Sequence, residues 1–478
     1  MNSVSVQQKR FIRITPSNNS SGGFSPDGSQ PIIRFSVADT MATADMSQAR
    51  VNFKLRVSRT GDGGASVSSV DDFNIDKAVN GCAVFDQVIV SSRRYGNQIE
   101  SVHNLGRLNS SWYTSLYSPK QMATNVNLNC RSIGKGNYGL KNYSASGLGP
   151  ATTNPANIIQ RKYLITNNTN TQNAGAISQR GWNQGTGVVT GAGSLATVGQ
   201  ATSAGYLDFS VPLHLGFFQS TDVNLNQVGG LEIVLYLDQT RNLFYGGDYN
   251  AQTTYQITDV NLTIPLLYYN SQQIAAQAQQ QQSVLSFMYW TSVYSVLDST
   301  FNSIAHRLSL KGLLSAIHNM QPTISINNSA RDNHALYNPG IRLLTFLRDG
   351  VKNPYEKSMI PSENRALSVA NKSCTYPEIL NEYLSAYRNP RDINYTQIIP
   401  DNIVGRGSVV EGVFGLGQNY DPSAGAGIDV NGTISYDIES KLEDITTPDA
   451  AGTEPYAFYS YYLSRQDYVV TPQGMSSV

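Results

Sequence analysis

Between Val51 and Val57 the chain alternates apolar and polar side chains one by one. Val51, Phe53, Leu55 and Val57 interleave with Asn52, Lys54 and Arg56. A period of two puts the two sets on opposite faces of an extended backbone, so the segment predicts a half-buried strand. Similar runs, rich in β-branched and aromatic residues, recur along the chain. In the first half they are Phe11–Ile14, Pro31–Val37, Phe85–Val90, Tyr206–Leu213 with Pro212 at an end or edge, and Gly229–Leu237. Tyr255–Tyr269 follows, with an interruption expected at Pro265. In the second half they are Phe287–Leu297, Phe301–Leu310, Ile341–Leu347, Val409–Phe414, Thr433–Ile438 and Tyr456–Leu463. Each half closes on a strand after a glycine turn, Gly229-Gly230 in one and Asn431-Gly432 in the other. Helical spacing is confined to two short stretches. Val102, Leu105, Leu108, Trp112 and Leu116 recur at three and four residues within Ile99–Tyr117, before Pro119. Pro377–Arg388 carries a second such face.

Many short strands with helices only in connections predict an all-β chain of antiparallel sandwiches. At 478 residues the chain has room for two. The division is expected near residue 250, giving 1–250 and 251–478. Residues 134–205 break the pattern, being rich in Gly, Asn, Thr, Ala and Ser. A connection that long inside a compact unit predicts an elaborated surface loop, projecting as a tower. Gln277–Gln282 is polar and of low complexity, as in an exposed turn or short helix between strands.

Composition then narrows the function classes. Charged residues make up 14% of the chain, against roughly 25% in ordinary soluble domains. Tyrosine is the commonest aromatic, at 28. Surfaces covered by neighbouring chains lose charge and gain tyrosine, although Asn, Ser, Thr and Gln on a wetted surface would give the same totals. Basic and acidic residues balance at 34 each. That balance argues against a strongly basic nucleic-acid binder and lowers the barrier to self-association. Lys9, Arg10 and Arg13 form a local basic group that could meet a polyanion, but three charges do not decide it.

The search for chemistry finds no catalytic, cofactor or metal motif. Cys82, Cys130 and Cys374 are scattered and fit a reducing compartment. His103, His214, His306, His318 and His334 complete no metal set, so structural or surface roles are expected for them. Gly415-Leu416-Gly417 and Gly425-Ala426-Gly427 lack the following helix of a phosphate cradle. Asp71-Asp72 and Glu443-Asp444 read as solvated acid pairs. The first 13 residues lack the apolar core of a signal peptide, and no apolar run reaches the length of a membrane span.

Several segments, taken in order, resemble the double jelly-roll major capsid proteins of icosahedral double-stranded DNA viruses, of the virophage and polinton-like type. They are Phe85–Leu105, His214–Gly216 followed by Val228–Leu237, Val413–Asp421 and Tyr468–Gly474. The resemblance implies two tandem eight-stranded antiparallel jelly rolls with short helices in the connecting loops. It implies a non-enzymatic structural protein, made inside the host cell and built into the virion. Three copies would close a pseudo-hexameric capsomer, a cyclic and self-closing contact. Neighbouring capsomers, a separate penton protein and minor or cement proteins would be its partners, with room for an internal membrane beneath the shell. No cofactor and no sequence-specific nucleic acid are implied. Trp112, Tyr113, Phe414 and Tyr420 are the candidate trimer contacts, with ordinary core packing as the other reading of each. Two alternatives remain: a tandem β-sandwich that binds glycans, and a glycoside-acting enzyme whose two carboxylates sequence alone does not reveal.

Overall fold

The computed structural model describes residues 8–18, 22–28, 30–38, 41–59, 65–66, 80–116, 187–190, 194–197, 206–213, 215–219, 223–244, 253–269, 283–298, 301–322, 334, 341–353, 358–359, 373–374, 416–420, 427–440, 456–471 and 474–477. Strands dominate them. The alternating segment becomes the strand Arg50–Arg59, with Val51, Phe53 and Leu55 buried. It pairs antiparallel with Tyr206–Pro212 on one side and Thr253–Tyr268 on the other. Gln8–Ile14 adds to the far part of Thr253–Tyr268, completing one face of the first unit with shorter strands. The opposite face is Gln98–Val102, Phe85–Ser92, Leu231–Leu237 and Ile32–Val37, in that order. Phe53 bridges the two layers, stacked on Phe209 at 5.1 Å and edge-on to Phe85 at 5.6 Å.

The second layer does not stop at the first unit. Ser283–Leu297 lies beside Gln98–Val102 through a parallel bridge between Thr291 and Ser101. From there the sheet continues through Tyr456–Thr471, Phe301–Pro322, Ile428–Ser440 and Ile341–Arg348. Among the described residues fourteen strands thus form one sheet across both halves, and the buried apolar side chains form one continuous core.

Four expectations change. Ile99–Val102 is strand rather than helix, and the helix begins only at Leu105, running Leu105–Leu116. Thr253–Tyr268 pairs entirely with strands of the first half, so that half's sheet extends past residue 250. Pro265 does not interrupt this strand. Its carbonyl accepts the Asp45 N–H at 3.0 Å, so the missing N–H falls on the same side, where the two-residue strand Thr43–Ala44 ends. Gly432 forms no turn either. It lies within Ile428–Ser440, opposite Leu308, and any Cβ there would strike the Asp349 carboxylate crossing over it. By contrast Gly229 and Gly230 do turn the chain, with φ of 79° and 75°. Gly229 ends a short helix, Leu225–Val228, whose first N–H groups are capped by the Asn224 side chain.

Of residues 134–205 the described part is one small hairpin, Gly187–Thr190 against Ser194–Thr197. Gln277–Gln282, Pro377–Arg388, Val409–Phe414 and both acid pairs lie outside the described residues.

Candidate functional site

The polar chemistry of the described residues is concentrated where the two halves meet. Glu100 sits next to the parallel bridge, in the strand Gln98–Val102 between Ile99 and Ser101, with 1% exposure. One carboxylate oxygen accepts the N–H of Gly216 at 2.9 Å and of Trp290 at 2.7 Å. The other accepts the N–H of Phe217 at 2.8 Å. One side chain therefore ties a loop of the first half to the opening strand of the second. The approach requires glycine at 216, because a Cβ would lie 2.6 Å from the Met288 backbone and 2.7 Å from Tyr289 Cα. Phe217 then meets Phe287 edge-on at 4.9 Å. Burial pushes the Glu100 pKa up to about 7, against the pull of the three N–H donors.

A second anchor lies along the helix Leu105–Leu116. Arg107 is 3% exposed and stands 4.6 Å over the Tyr459 ring. Burial opposes its charge, but Tyr459, Asp238, Tyr461 and Asp86 together raise its pKa. Asp238, fully enclosed, is pushed up to about 7 by burial and by Asp86, with Arg107 opposing. His334 of the second half lies 4.0 Å from Asp238 and is held neutral, its pKa pulled to about 3 by burial and by Arg107. Asn319 bonds the same helix twice, donating to the Arg107 carbonyl at 2.9 Å and accepting the Ser111 hydroxyl. Tyr461 donates to the Asn104 carbonyl at 2.9 Å, and Ser292 accepts the His103 N–H at 2.9 Å. These last contacts border an open cleft of about 550 Å³ lined also by Val293, Tyr294 and Tyr459. At the far end, Asn97 donates to the Met475 carbonyl.

The core of the second unit holds a third polar group. His306 and His318 lie on one face of Phe301–Pro322. His306 contacts Ser295 and the Tyr462 hydroxyl, each at 2.9 Å. Tyr462 in turn meets Tyr436. His318 contacts Ser460 at 3.0 Å and stacks on Phe458 at 5.3 Å. Burial lowers the two pKa values to about 4 and about 3, so both rings are neutral at physiological pH. They hold the core together, in keeping with the structural role expected of them.

The sequence candidates fare unevenly. Tyr420 is 6% exposed inside the second unit, with its hydroxyl on Gln418 at 2.9 Å and its N–H on the Leu314 carbonyl. That is a core position of its own chain. Trp112 and Tyr113 belong to the helix at the seam, but their side chains, like all of Phe414, lie outside the described residues. Among the described residues no group of three or more His, Cys, Asp or Glu could hold a metal ion, and no helix is long and apolar enough to cross a membrane. Glu100 and Arg107 escaped sequence reasoning. The only signal was one acid between Ile99 and Val102 in a short strand.

No family model matches the sequence, and neither does any curated protein. Solved structures do. The Faustovirus major capsid protein superposes with a TM-score of 0.56 at 10% identity, over 98% of this chain and 91% of that one. A chain of the PBCV-1 virus capsid gives 0.54 at 9% identity, over 100% of this chain and 98% of the other. The fold is a double jelly roll. A chain of the Sputnik virophage gives 0.56 at 8% identity, covering 99% of this chain and 88% of the other. At such identities the likeness is one of backbone architecture. The continuous sheet and its buried anchors are therefore the seam between two jelly rolls.

Proposed function

We propose that this chain is the major capsid protein of an icosahedral double-stranded DNA virus, a structural component of the virion with no catalytic role. Three copies close a pseudo-hexameric capsomer, and capsomers tile the shell beside separate penton and minor proteins. The observation that carries this reading is the double jelly-roll likeness over nearly the entire length of both partners, one of them a viral major capsid protein. The seam supports it physically. A tile needs its two rolls at a fixed mutual angle, and Glu100, Arg107 and Asn319 supply directional contacts that pin that angle. Trp112, Tyr113 and Phe414 stay in this proposal as trimer contacts, whereas the burial of Tyr420 favours its core reading.

The test is assembly of the purified chain. Native mass spectrometry is expected to give a trimer, and negative-stain images are expected to show particles of six-sided outline. A stable monomer at micromolar concentration that binds a glycan array would refute the capsid reading and favour the lectin-like alternative.

A further inference from the structure

The basic group near the N-terminus is not used by the seam. Among the described residues Gln8–Ile14 pairs only with Thr253–Tyr268, as an edge strand. Lys9, Phe11 and Arg13 project from one face of it, in register with Leu267, Pro265 and Thr263. All three are exposed, Phe11 by 61%. The Lys9 ammonium lies 5.4 Å from the centre of the Phe11 ring. The same outward face continues across the sheet. Thr263 is opposite Arg50, and Asn261 is opposite Asn52, whose amide bonds both Asn261 and Thr263. Asp259 is also on this side, and it is taken by Lys54 at 2.7 Å. Lys9 donates to Gln48 Oε1 at 2.9 Å and Arg50 to the Ser210 carbonyl at 3.1 Å, but among the described residues no carboxylate pairs with Lys9, Arg10, Arg13 or Arg50, so their charge is not neutralised. A chain with no net charge thus carries one local positive face.

Protection of a sheet edge against pairing accounts for lysine and arginine there. It does not account for a large exposed aromatic ring set between them. We propose that this face binds single-stranded nucleic acid without sequence preference, with Lys9, Arg13 and Arg50 meeting phosphates and Phe11 stacking on a base. The strand geometry suits that use. Alternate residues are about 7 Å apart, so two cations flank the ring at even spacing along a straight line. Cations tracking a backbone beside an aromatic platform are the common elements of such sites. A lipid surface fits less well, because one phenyl ring offers little area for insertion.

The proposal is independent of the capsid reading, since it concerns the chain in whatever oligomer it forms. Fluorescence anisotropy of the full chain with a labelled 20-nucleotide oligothymidylate tests it. Binding should weaken with salt at a log–log slope of about −2, as for three phosphate contacts. The double variant Lys9→Glu/Arg13→Glu should lose binding, and Phe11→Ala should weaken it about tenfold. Arg307→Glu/Lys311→Glu, on the exposed face of the second roll, should bind like wild type. The altered side chains are all exposed, and sedimentation should show the oligomer unchanged. Absence of binding at low salt, equal loss in the control variant, or capture by phosphatidylserine vesicles in place of the oligonucleotide would overturn it.

Discussion

Replacing Glu100 by glutamine tests the seam directly, because the substitution keeps shape and removes titration. The sign follows from burial. The folded state holds the Glu100 proton up to about pH 7, whereas the unfolded chain loses it near 4.5. Between those values unfolding releases a proton, so this residue's stabilising contribution is full below pH 4.5. It declines as pH rises through the window and is flat above 7. Moving a pKa from 4.5 to about 7 corresponds to about 3 kcal/mol in total. Between pH 5 and pH 8 the wild type should therefore lose about 2–3 kcal/mol through this group alone. The glutamine variant has no such term. It has a constant cost instead, about 1–3 kcal/mol, because its amide N–H2 turns a donor toward backbone donors that the carboxylate satisfied.

The quantity to measure is the stability difference between wild type and variant at the two pH values. Asp238 titrates in the same direction as Glu100, and His306, His318 and His334 in the opposite one. Those groups are common to both proteins and cancel. Urea unfolding followed by tryptophan fluorescence suits the question, since Trp290, whose backbone N–H donates to Glu100, is buried in the folded state. The advantage of wild type over variant should shrink by about 2–3 kcal/mol from pH 5 to pH 8. An unchanged difference would mean that Glu100 is ionised throughout, with its three N–H donors outweighing burial, and the reasoning would fail.

Three further outcomes are expected. Gly216→Ala should destabilise by about 1–3 kcal/mol, because its Cβ meets Met288 and Tyr289 backbone that cannot rotate away; a thermal melt within 1 °C of wild type would contradict this. Asn319→Ala should cost about 2–4 kcal/mol in denaturant unfolding, since it strands the Ser111 hydroxyl and the Arg107 carbonyl in a dry seam. His318 destabilises the fold progressively as pH falls from 6.5 towards about 3, so the wild type should unfold in acid more steeply than His318→Gln, with the midpoint pH read by circular dichroism.

Strands such as Arg50–Arg59 were legible in the sequence because one face is buried and the other is not, whereas Tyr456–Leu463, buried on both faces, was legible as an aromatic-rich run. Arg50–Arg59 and Leu231–Leu237 show a regular or near-regular apolar period, and the structure extends them by only a few residues or trims their glycines. The errors fell where local grammar is ambiguous. Ile99–Val102 also fits the helical spacing that continues from Leu105, and only its pairing with Phe85–Ser92 decides for strand. Gly432 looks like a turn residue until the Asp349 carboxylate is seen above it. The seam was not legible at all. Glu100 finds its partners 116, 117 and 190 residues away, and no local pattern reports contacts at that range. An acid next to Ile99 in a short strand was the only clue, and a weak one, although a buried carboxylate demands partners.

The seam also explains why polar side chains should sit at a junction that apolar packing could fill. Apolar contact is non-directional, and two sheets joined by it alone can slide or rock. A single parallel bridge, Thr291 to Ser101, would not prevent that. Three N–H groups converging on one carboxylate fix position and angle together, since any tilt lengthens at least one of the bonds. Arg107 against Tyr459 and Asn319 against the helix backbone fix a second point away from the first. Two directional anchors along one line of contact leave no free rotation between the rolls. The desolvation cost of burying Glu100 and Arg107 is then the cost of orientation rather than of adhesion. A subunit that repeats across a shell gains from that exchange, because an angular error in one subunit is carried into each contact it makes.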